Sequence, residues 1–164
     1  MGYEVRGVIA QTAVAQLVAA EFGPGTRPVD LEQGYALVPY NDAAYDHFLG
    51  RHGEPHKSFG WLGSAVADLL ATASRSGHLA YVEAEYFGGT GEQHAAAWDG
   101  GALAWGPLGI GFRQAIPPQG TAISQALRRI GVTANDKACD EFEAVGLRRY
   151  RHLEDWLPEM EDDE

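Results

Sequence analysis

The feature that most constrains the fold is a pair of strand-like segments that meet at a run of glycines, YVEAEYFGGTGEQHAAAW, residues 81–98. Apolar and polar residues alternate before the glycines, where Val82 and Ala84 are interleaved with Glu83 and Glu85, as in a strand with two different faces. Residues 88–91 predict a tight turn, because glycine accepts the backbone angles that such turns need. The chain therefore contains an antiparallel hairpin, and the rest of the fold has to cover at least one of its faces.

A four-residue turn at 88–91 assigns the hairpin side chains to two faces. One face is small and apolar and suits a closely packed helix: Ala80, Val82, Ala84, Tyr86, Gln93, Ala95 and Ala97. The other face mixes rings, carboxylates and one imidazole, and it is the predicted binding site: Tyr81, Glu83, Glu85, Phe87, Glu92, His94 and Trp98. In this register Glu85 lies opposite His94, and Phe87 lies opposite Glu92. Such a face is a recognition surface, the floor of a pocket, or a solvated exterior.

Periodicity elsewhere predicts elements that fit around this hairpin. Strands are expected at 5–9, 35–40 and 102–105, and helices at 11–22, about 42–49, 62–73, 121–130 and 135–145. Residues 106–119 are rich in Gly and Pro, which is typical of a loop. The regular alternation that a parallel sheet needs is absent. We therefore predict the α+β class: a single domain at 1–153 with a mainly antiparallel sheet and helices packed on one side, and an acidic C-terminal tail at 154–164.

The charge balance excludes some partners and favours others. Twelve Lys and Arg stand against 23 Asp and Glu, which gives a formal net charge of −11. We expect no nucleic-acid partner and no binding to anionic membranes, because this charge repels phosphate. A basic protein partner is compatible with it, since complementary fields steer association. No apolar run approaches the ~20 residues of a membrane span, and no secretion signal is evident, so the expected location is the cytoplasm.

Residues that could carry catalysis or bind a metal are sparse. His47, His52 and His56 fall close together. Pro55 forbids a helix that would align two of them, so a solvated loop is favoured over a zinc site. Cys139 is the only cysteine, which excludes an internal disulfide and a cysteine-based zinc cluster. No nucleophile motif and no phosphate-binding loop occurs. We predict no catalytic set, no metal and no cofactor.

The densest basic cluster lies near the end of the chain and consists of Arg148, Arg149 and Arg151. In so acidic a protein, the favoured role of these arginines is to pair with carboxylates of the same chain. The alternative is an anion-binding patch, because guanidinium groups bind carboxylate and phosphate well. Trp156 follows shortly afterwards and is expected to dock the end of the chain onto the domain.

Three strings carry a resemblance to known proteins. They are YFGGTGEQ at 86–93 with the tryptophan at 98, ISQALRRIGV at 123–132, and DEF, GL, YR and DW between 140 and 156. Together they resemble a family of small uncharacterised bacterial proteins, over residues 81–156, about half of the chain. The resemblance implies an α+β fold and a cytoplasmic protein. Some members are similar to immunity proteins paired with secreted toxins, and the resemblance carries over no catalytic residue.

The leading hypothesis is therefore a non-enzymatic binding protein, of the immunity type, that masks a basic toxin. The alternative is a small enzyme or ligand-binding domain that uses Glu83, Glu85 and His94 in a pocket, with one carboxylate as general base. A third possibility is a metal-dependent domain built on the loop histidines. A docking surface predicts a shallow exposed face on which Glu83→Gln leaves stability unchanged, whereas an enzyme predicts a concave site.

Overall fold

The computed structural model describes residues 2–56, 58–87, 90–111, 114–134 and 140–157. Its strands are β1 Tyr3–Gln11, β2 Val29–Asp30, β3 Tyr35–Pro39, β4 Leu79–Phe87, β5 Thr90–Asp99 and β6 Ala102–Ile110. They form one sheet in the order β2-β3-β1-β4-β5-β6, in which every neighbouring pair is antiparallel. The predicted α+β class with a mainly antiparallel sheet is confirmed.

The helices are α1 Thr12–Phe22, α2 Asp42–His47, α3 Ser64–Ala73, α4 Ala122–Arg129 and α5 Glu141–Val145, with 3-10 turns at Ser74–Ser76 and Leu153–Trp156. Side-chain caps explain where several of them begin. The Asn41 side chain accepts a hydrogen bond from Ala44 N, 2.9 Å away, at the start of α2. Thr121 and Asp140 cap α4 and α5 in the same way. Within the described ranges, no helix has both the length and the apolar character needed to cross a bilayer.

Helices cover both faces of the sheet, not one side as the sequence predicted. On one face, α1, α2 and α3 pack against a core that includes Val8 and Tyr81. On the other face, α4 and α5 pack against a core that includes Ile9 and Val82. Consecutive residues thus enter opposite cores, as side chains of a strand buried on both sides do. Because the central strands are apolar on both faces, both faces need a helical cover.

The predicted hairpin of β4 and β5 is present, but β5 begins at Thr90, two residues earlier than expected. The predicted pair of Glu85 with His94 is wrong, because His94 lies opposite Glu83. Glu85 lies opposite Glu92, so the predicted pair of Phe87 with Glu92 is wrong as well. A slip of one residue would have turned every side chain to the other face, but a slip of two keeps the predicted faces.

Gly91 belongs to β5 rather than to the turn. It lies opposite Tyr86, and a Cβ at this position would overlap with the Tyr86 ring. A glycine inside a strand often marks such a close approach. Gly91, which the sequence assigned to the turn, therefore lets the Tyr86 ring lie across β5. This packing accounts for the shorter turn.

Three predicted boundaries differ markedly from the structure. β6 continues to Ile110, inside the segment predicted as a loop, because it pairs with β5 over this length. Trp156 is buried in the core, so the folded part extends past the predicted domain boundary at residue 153. The last predicted helix begins at Glu141 rather than at residue 135. Residues 135–139, including Cys139, and residues 158–164 of the predicted tail lie outside the described part of the chain.

Candidate functional site

Three successive rows of side chains cross β1, β4 and β5 on the predicted binding face. The innermost row is buried in the core: Val8, Tyr81 and Ala96. The middle row consists of ionisable side chains and is largely buried: Arg6, Glu83 and His94. The outer row reaches solvent and consists of three glutamates, which we call the acidic row: Glu4, Glu85 and Glu92. From the core outwards, the side chains of this face thus change from apolar to acidic over three rows.

Glu83 ties a distant loop to the sheet. Its carboxylate accepts hydrogen bonds from Gly60 N at 2.8 Å, from Trp61 N at 3.1 Å and from the Tyr81 hydroxyl at 2.7 Å. Only 8% of Glu83 is exposed, and a buried carboxylate needs such donors. Burial, and then the neighbouring Glu83 charge, raise the pKa of Tyr81, so this hydroxyl remains a donor. Glu83 is therefore a positioning group beneath the site.

Arg6 is the cation of the middle row and is 4% exposed. Its Nε donates to the Tyr40 carbonyl at 2.7 Å, its Nη2 to Asp42 Oδ1 at 2.8 Å, and its Nη1 to Glu4 Oε2 at 3.3 Å. Its Cζ lies 3.9 Å from the centroid of the Trp61 ring, a cation–π contact. The Arg6 charge is thus matched within the protein, and the stacked Arg6–Trp61 pair forms a wall in the site.

His94 completes the middle row at its outer edge. Its Nε2 lies 3.6 Å from Glu92 Oε2. It faces Gly109 on β6, where a Cβ would lie only 2.6 Å from His94 Nδ1, so the glycine lets the imidazole lie over the neighbouring strand. This nitrogen is buried and has no hydrogen-bond partner among the described residues. The imidazole therefore depends on Glu92 for its polar contact.

Two clefts flank the wall formed by Arg6 and Trp61. The first has a volume of about 130 Å³, and its acidic lining residues are Glu4, Glu83, Glu85 and Glu92. The second, of about 410 Å³, is lined on its acidic side by Glu4, Asp42 and Glu154. We call the two together the acidic groove. In it, six different carboxylates surround one guanidinium, so its field is strongly negative.

The structure brings together only part of the predicted binding site. Three of the predicted residues line the first cleft and reach solvent: Glu85, Glu92 and His94. Tyr81 and Trp98 instead lie in the core beneath the helices, so a partner does not reach them. Phe87 is 78% exposed at the end of β4 and does not line the groove. Glu83 lies at the bottom of the cleft.

Sequence reasoning missed several groove residues, among them Glu4, Arg6 and Trp61. Arg6 did have a local signal, because it is a charged residue within a strand whose neighbours are apolar and buried. Such a residue needs a partner and so indicates a site. Trp61 had no comparable signal, since it lies in a loop whose contacts with the sheet, among them those with Glu83 and Arg6, join residues that are distant in sequence.

The loop histidines do not converge. His52 stacks on Tyr45 with ring centroids 4.2 Å apart, and His56 lies 5.1 Å from Phe59. His47 contacts Phe48, with centroids 5.2 Å apart. In the part of the chain that the structure describes, no group of three or more His, Cys, Asp or Glu could hold a metal ion. These imidazoles are therefore packing elements of the domain.

Comparison of the chain with family models, with curated proteins and with solved structures gave no match. The resemblance to small bacterial proteins of the immunity type therefore stays a prediction. The charges and contacts of the acidic groove are the most specific chemistry that the described residues bring together.

Proposed function

We propose that this chain is a non-enzymatic binding protein whose acidic groove accepts basic side chains of a protein partner. The observation that carries the proposal is the acidic row, in which Glu4, Glu85 and Glu92 lie directly opposite one another on three neighbouring strands. Like charges in directly opposed positions destabilise a sheet. A cation placed among them removes that repulsion, so the free protein is prepared for a positively charged group.

The pairing of the charges supports the same conclusion. The Arg6 guanidinium is already matched by Glu4 and Asp42. Glu92 has His94 beside it, and Glu85 forms no ion pair with any residue in the described ranges. The most exposed carboxylate of the row is thus the one without a cation. The overall charge of −11 adds a long-range field that steers a basic partner toward the groove.

The dimensions of the first cleft of the groove favour a side chain over a free metabolite. Small-molecule sites usually enclose roughly 300–1,000 Å³, and the first cleft has about 130 Å³. That volume takes the head of one arginine or lysine. Trp61 is 39% exposed and offers a ring beside this cleft, and the second cleft gives room for a further basic residue. A short basic segment of a partner protein fits these two spaces.

Binding is favoured over catalysis by the state of Glu83. Three donors already occupy its carboxylate, and one of them belongs to the buried Tyr81. A general base has to accept a proton from a substrate and therefore needs a free oxygen within reach of it. Glu83 thus serves to hold the groove in shape, while Glu85 and Glu92 present charge to a partner.

The biological form that we propose is an immunity-type protein of the cytoplasm that masks a basic surface of a toxin. Its support is the acidic groove together with the resemblance of residues 81–156. Mutual complementarity of charge would give such a pair fast association and a strong dependence on salt.

A titration with N-acetyl-arginine amide tests the groove directly. We expect saturable amide shifts in an NMR spectrum at Trp61, Glu85 and His94, with weaker binding in Glu85→Gln. Glu54→Gln is the matched control, because Glu54 is an exposed glutamate outside the groove. The uncharged citrulline analogue should not bind. Equal binding of arginine and citrulline probes, or shifts that ignore Glu85→Gln, would contradict the proposal.

The partner itself is identified by co-purification from the source cells, followed by calorimetry with the purified candidate. The expected partner is basic, binds the wild type and Glu54→Gln equally, and loses at least about tenfold in affinity with the double variant Glu85→Gln/Glu92→Gln, since each rim charge adds a modest amount. A partner that binds the double variant as tightly as the wild type would place the interface elsewhere.

A further inference from the structure

A third cavity lies on the opposite face of the sheet from the acidic groove, and we call it the rear cavity. Its volume is about 460 Å³, within the range of roughly 300–1,000 Å³ typical of small-molecule sites. Tyr86 and Gln93 reach it from the same strands that present Glu85 and His94 to the groove. Since neighbouring residues of a strand point to opposite sides, the two sites share strands but no side chain.

Two arginines line the rear cavity. Arg148 and Arg151 line it, both are exposed, and neither forms an ion pair with any residue that the structure describes. Arg149, between them, behaves differently and pairs with Glu32 at 3.3 Å. In a chain with nearly twice as many acids as bases, two free guanidinium groups at one cavity favour an anionic ligand.

A hydroxyl donor faces the same space. Gln93 Oε1 accepts a hydrogen bond from Ile123 N at 2.9 Å, which fixes the orientation of the amide. The other end of that amide therefore donates to the Tyr86 hydroxyl oxygen. Because this oxygen is the acceptor in that bond, Tyr86 has its own proton to donate elsewhere. Burial raises the pKa of Tyr86, so the proton stays in place at neutral pH.

One wall of the rear cavity is aromatic. The Tyr3 ring lies 5.6 Å from the Phe142 ring and 6.3 Å from the Tyr86 ring, measured between centroids. A flat apolar body packs well against such a wall. Asp140 is the acid of the lining, and its Oδ1 already accepts a hydrogen bond from Glu143 N at 2.9 Å as the cap of α5. After burial, the Asp140 charge is a further cause of the raised pKa of Tyr86, so the two arginines have to offset one carboxylate in the lining.

We propose that the rear cavity binds a small organic anion, a carboxylate or a phosphate monoester carried on a flat apolar body. The acid group pairs with Arg148 and Arg151 and accepts a hydrogen bond from the Tyr86 hydroxyl. The apolar body packs on Tyr3 and Phe142. This site is independent of the acidic groove. Its ligand is an anion, whereas the groove accepts basic side chains.

Benzoate and phenyl phosphate are suitable probes, with benzamide as the uncharged analogue of benzoate. In NMR titrations of the full chain, we expect saturable shifts at the amides of Tyr86 and Ile123 with one or both anions, and the tighter of the two identifies the acid group. Arg148→Gln/Arg151→Gln should weaken binding by about tenfold or more, as loss of charge-assisted hydrogen bonds does. Arg129→Gln, at an exposed arginine of α4 outside the lining, should bind like the wild type.

Several results would overturn the proposal. They are the absence of saturable binding by both anions, equal binding of benzamide and benzoate, and equal binding by the wild type and the arginine double variant. Tyr86→Phe provides a second check, since it should weaken the anions and leave circular dichroism unchanged. If that variant unfolds, the double variant still decides, because both arginines are on the surface.

Discussion

Neutralising the middle residue of the acidic row should make the free protein more stable. Glu85→Gln removes two like-charge neighbours at once, the pairs with Glu4 and with Glu92. Each directly opposed pair is worth roughly 0.2–1 kcal/mol, and solvent exposure of Glu85 keeps the sum near the lower end. We therefore expect the free energy of unfolding to rise by about 0.5–1 kcal/mol. For a chain of 164 residues this raises Tm by about 1–4 °C.

Urea denaturation at two salt concentrations measures this effect. At about 0.01 M salt the screening length is about 30 Å, and at about 1 M it is about 3 Å, so the gain should be largest at low salt and nearly vanish at high salt. Glu54→Gln serves as the control and should change little at either concentration. A loss of stability in Glu85→Gln, or a gain that is indifferent to salt, would show that the three glutamates do not repel one another and would remove the physical basis of the proposed groove.

Three further predictions follow from the buried contacts. Glu83→Gln places an amide NH₂ against backbone donors and should lower the free energy of unfolding by about 2–4 kcal/mol in urea titrations; an unchanged midpoint would mean that the loop is held by other contacts. Gly91→Ala forces the Tyr86 ring aside and should cost about 1–3 kcal/mol, seen as a lower Tm with altered near-ultraviolet circular dichroism, and a variant with the wild-type Tm and spectrum would contradict this close approach. Burial raises the pKa of Tyr81 and Tyr40 in the fold, while the unfolded chain ionises near pH 10, so the native state binds more protons and stability should fall as pH rises past about 10; urea midpoints that stay constant from about pH 8 to about pH 11 would contradict this.

The faces of the hairpin could be predicted from the sequence, and its register could not. Alternation of small apolar residues with aromatic and acidic ones separates the two faces. The assignment survives an error in the turn length as long as that error is an even number of residues. The register depends on Gly91, which lies in β5 because the Tyr86 ring crosses it. A glycine that allows close packing and a glycine that forms a turn look the same in a sequence.

The role of Glu83 depends on contacts that are distant in sequence. A carboxylate in a half-buried strand costs free energy unless it is paired, and this correctly indicated that Glu83 needs partners. Two of its three donors, however, come from Gly60 and Trp61, more than 20 residues earlier in the chain. The expectation that Glu83→Gln leaves stability unchanged therefore conflicts with the structure. Arg6 is a similar case, because its local pattern was informative and its partners Asp42 and Trp61 were not predictable.

The alternation along β5 has a consequence for how this protein can change over generations. Gln93 belongs to the rear cavity and His94 to the acidic groove, although they are consecutive residues. A single substitution can therefore retune one side of the molecule without altering any lining residue on the other. An insertion or deletion of one residue in the same strand would exchange the two linings, so the segment should tolerate replacement far better than a change of length.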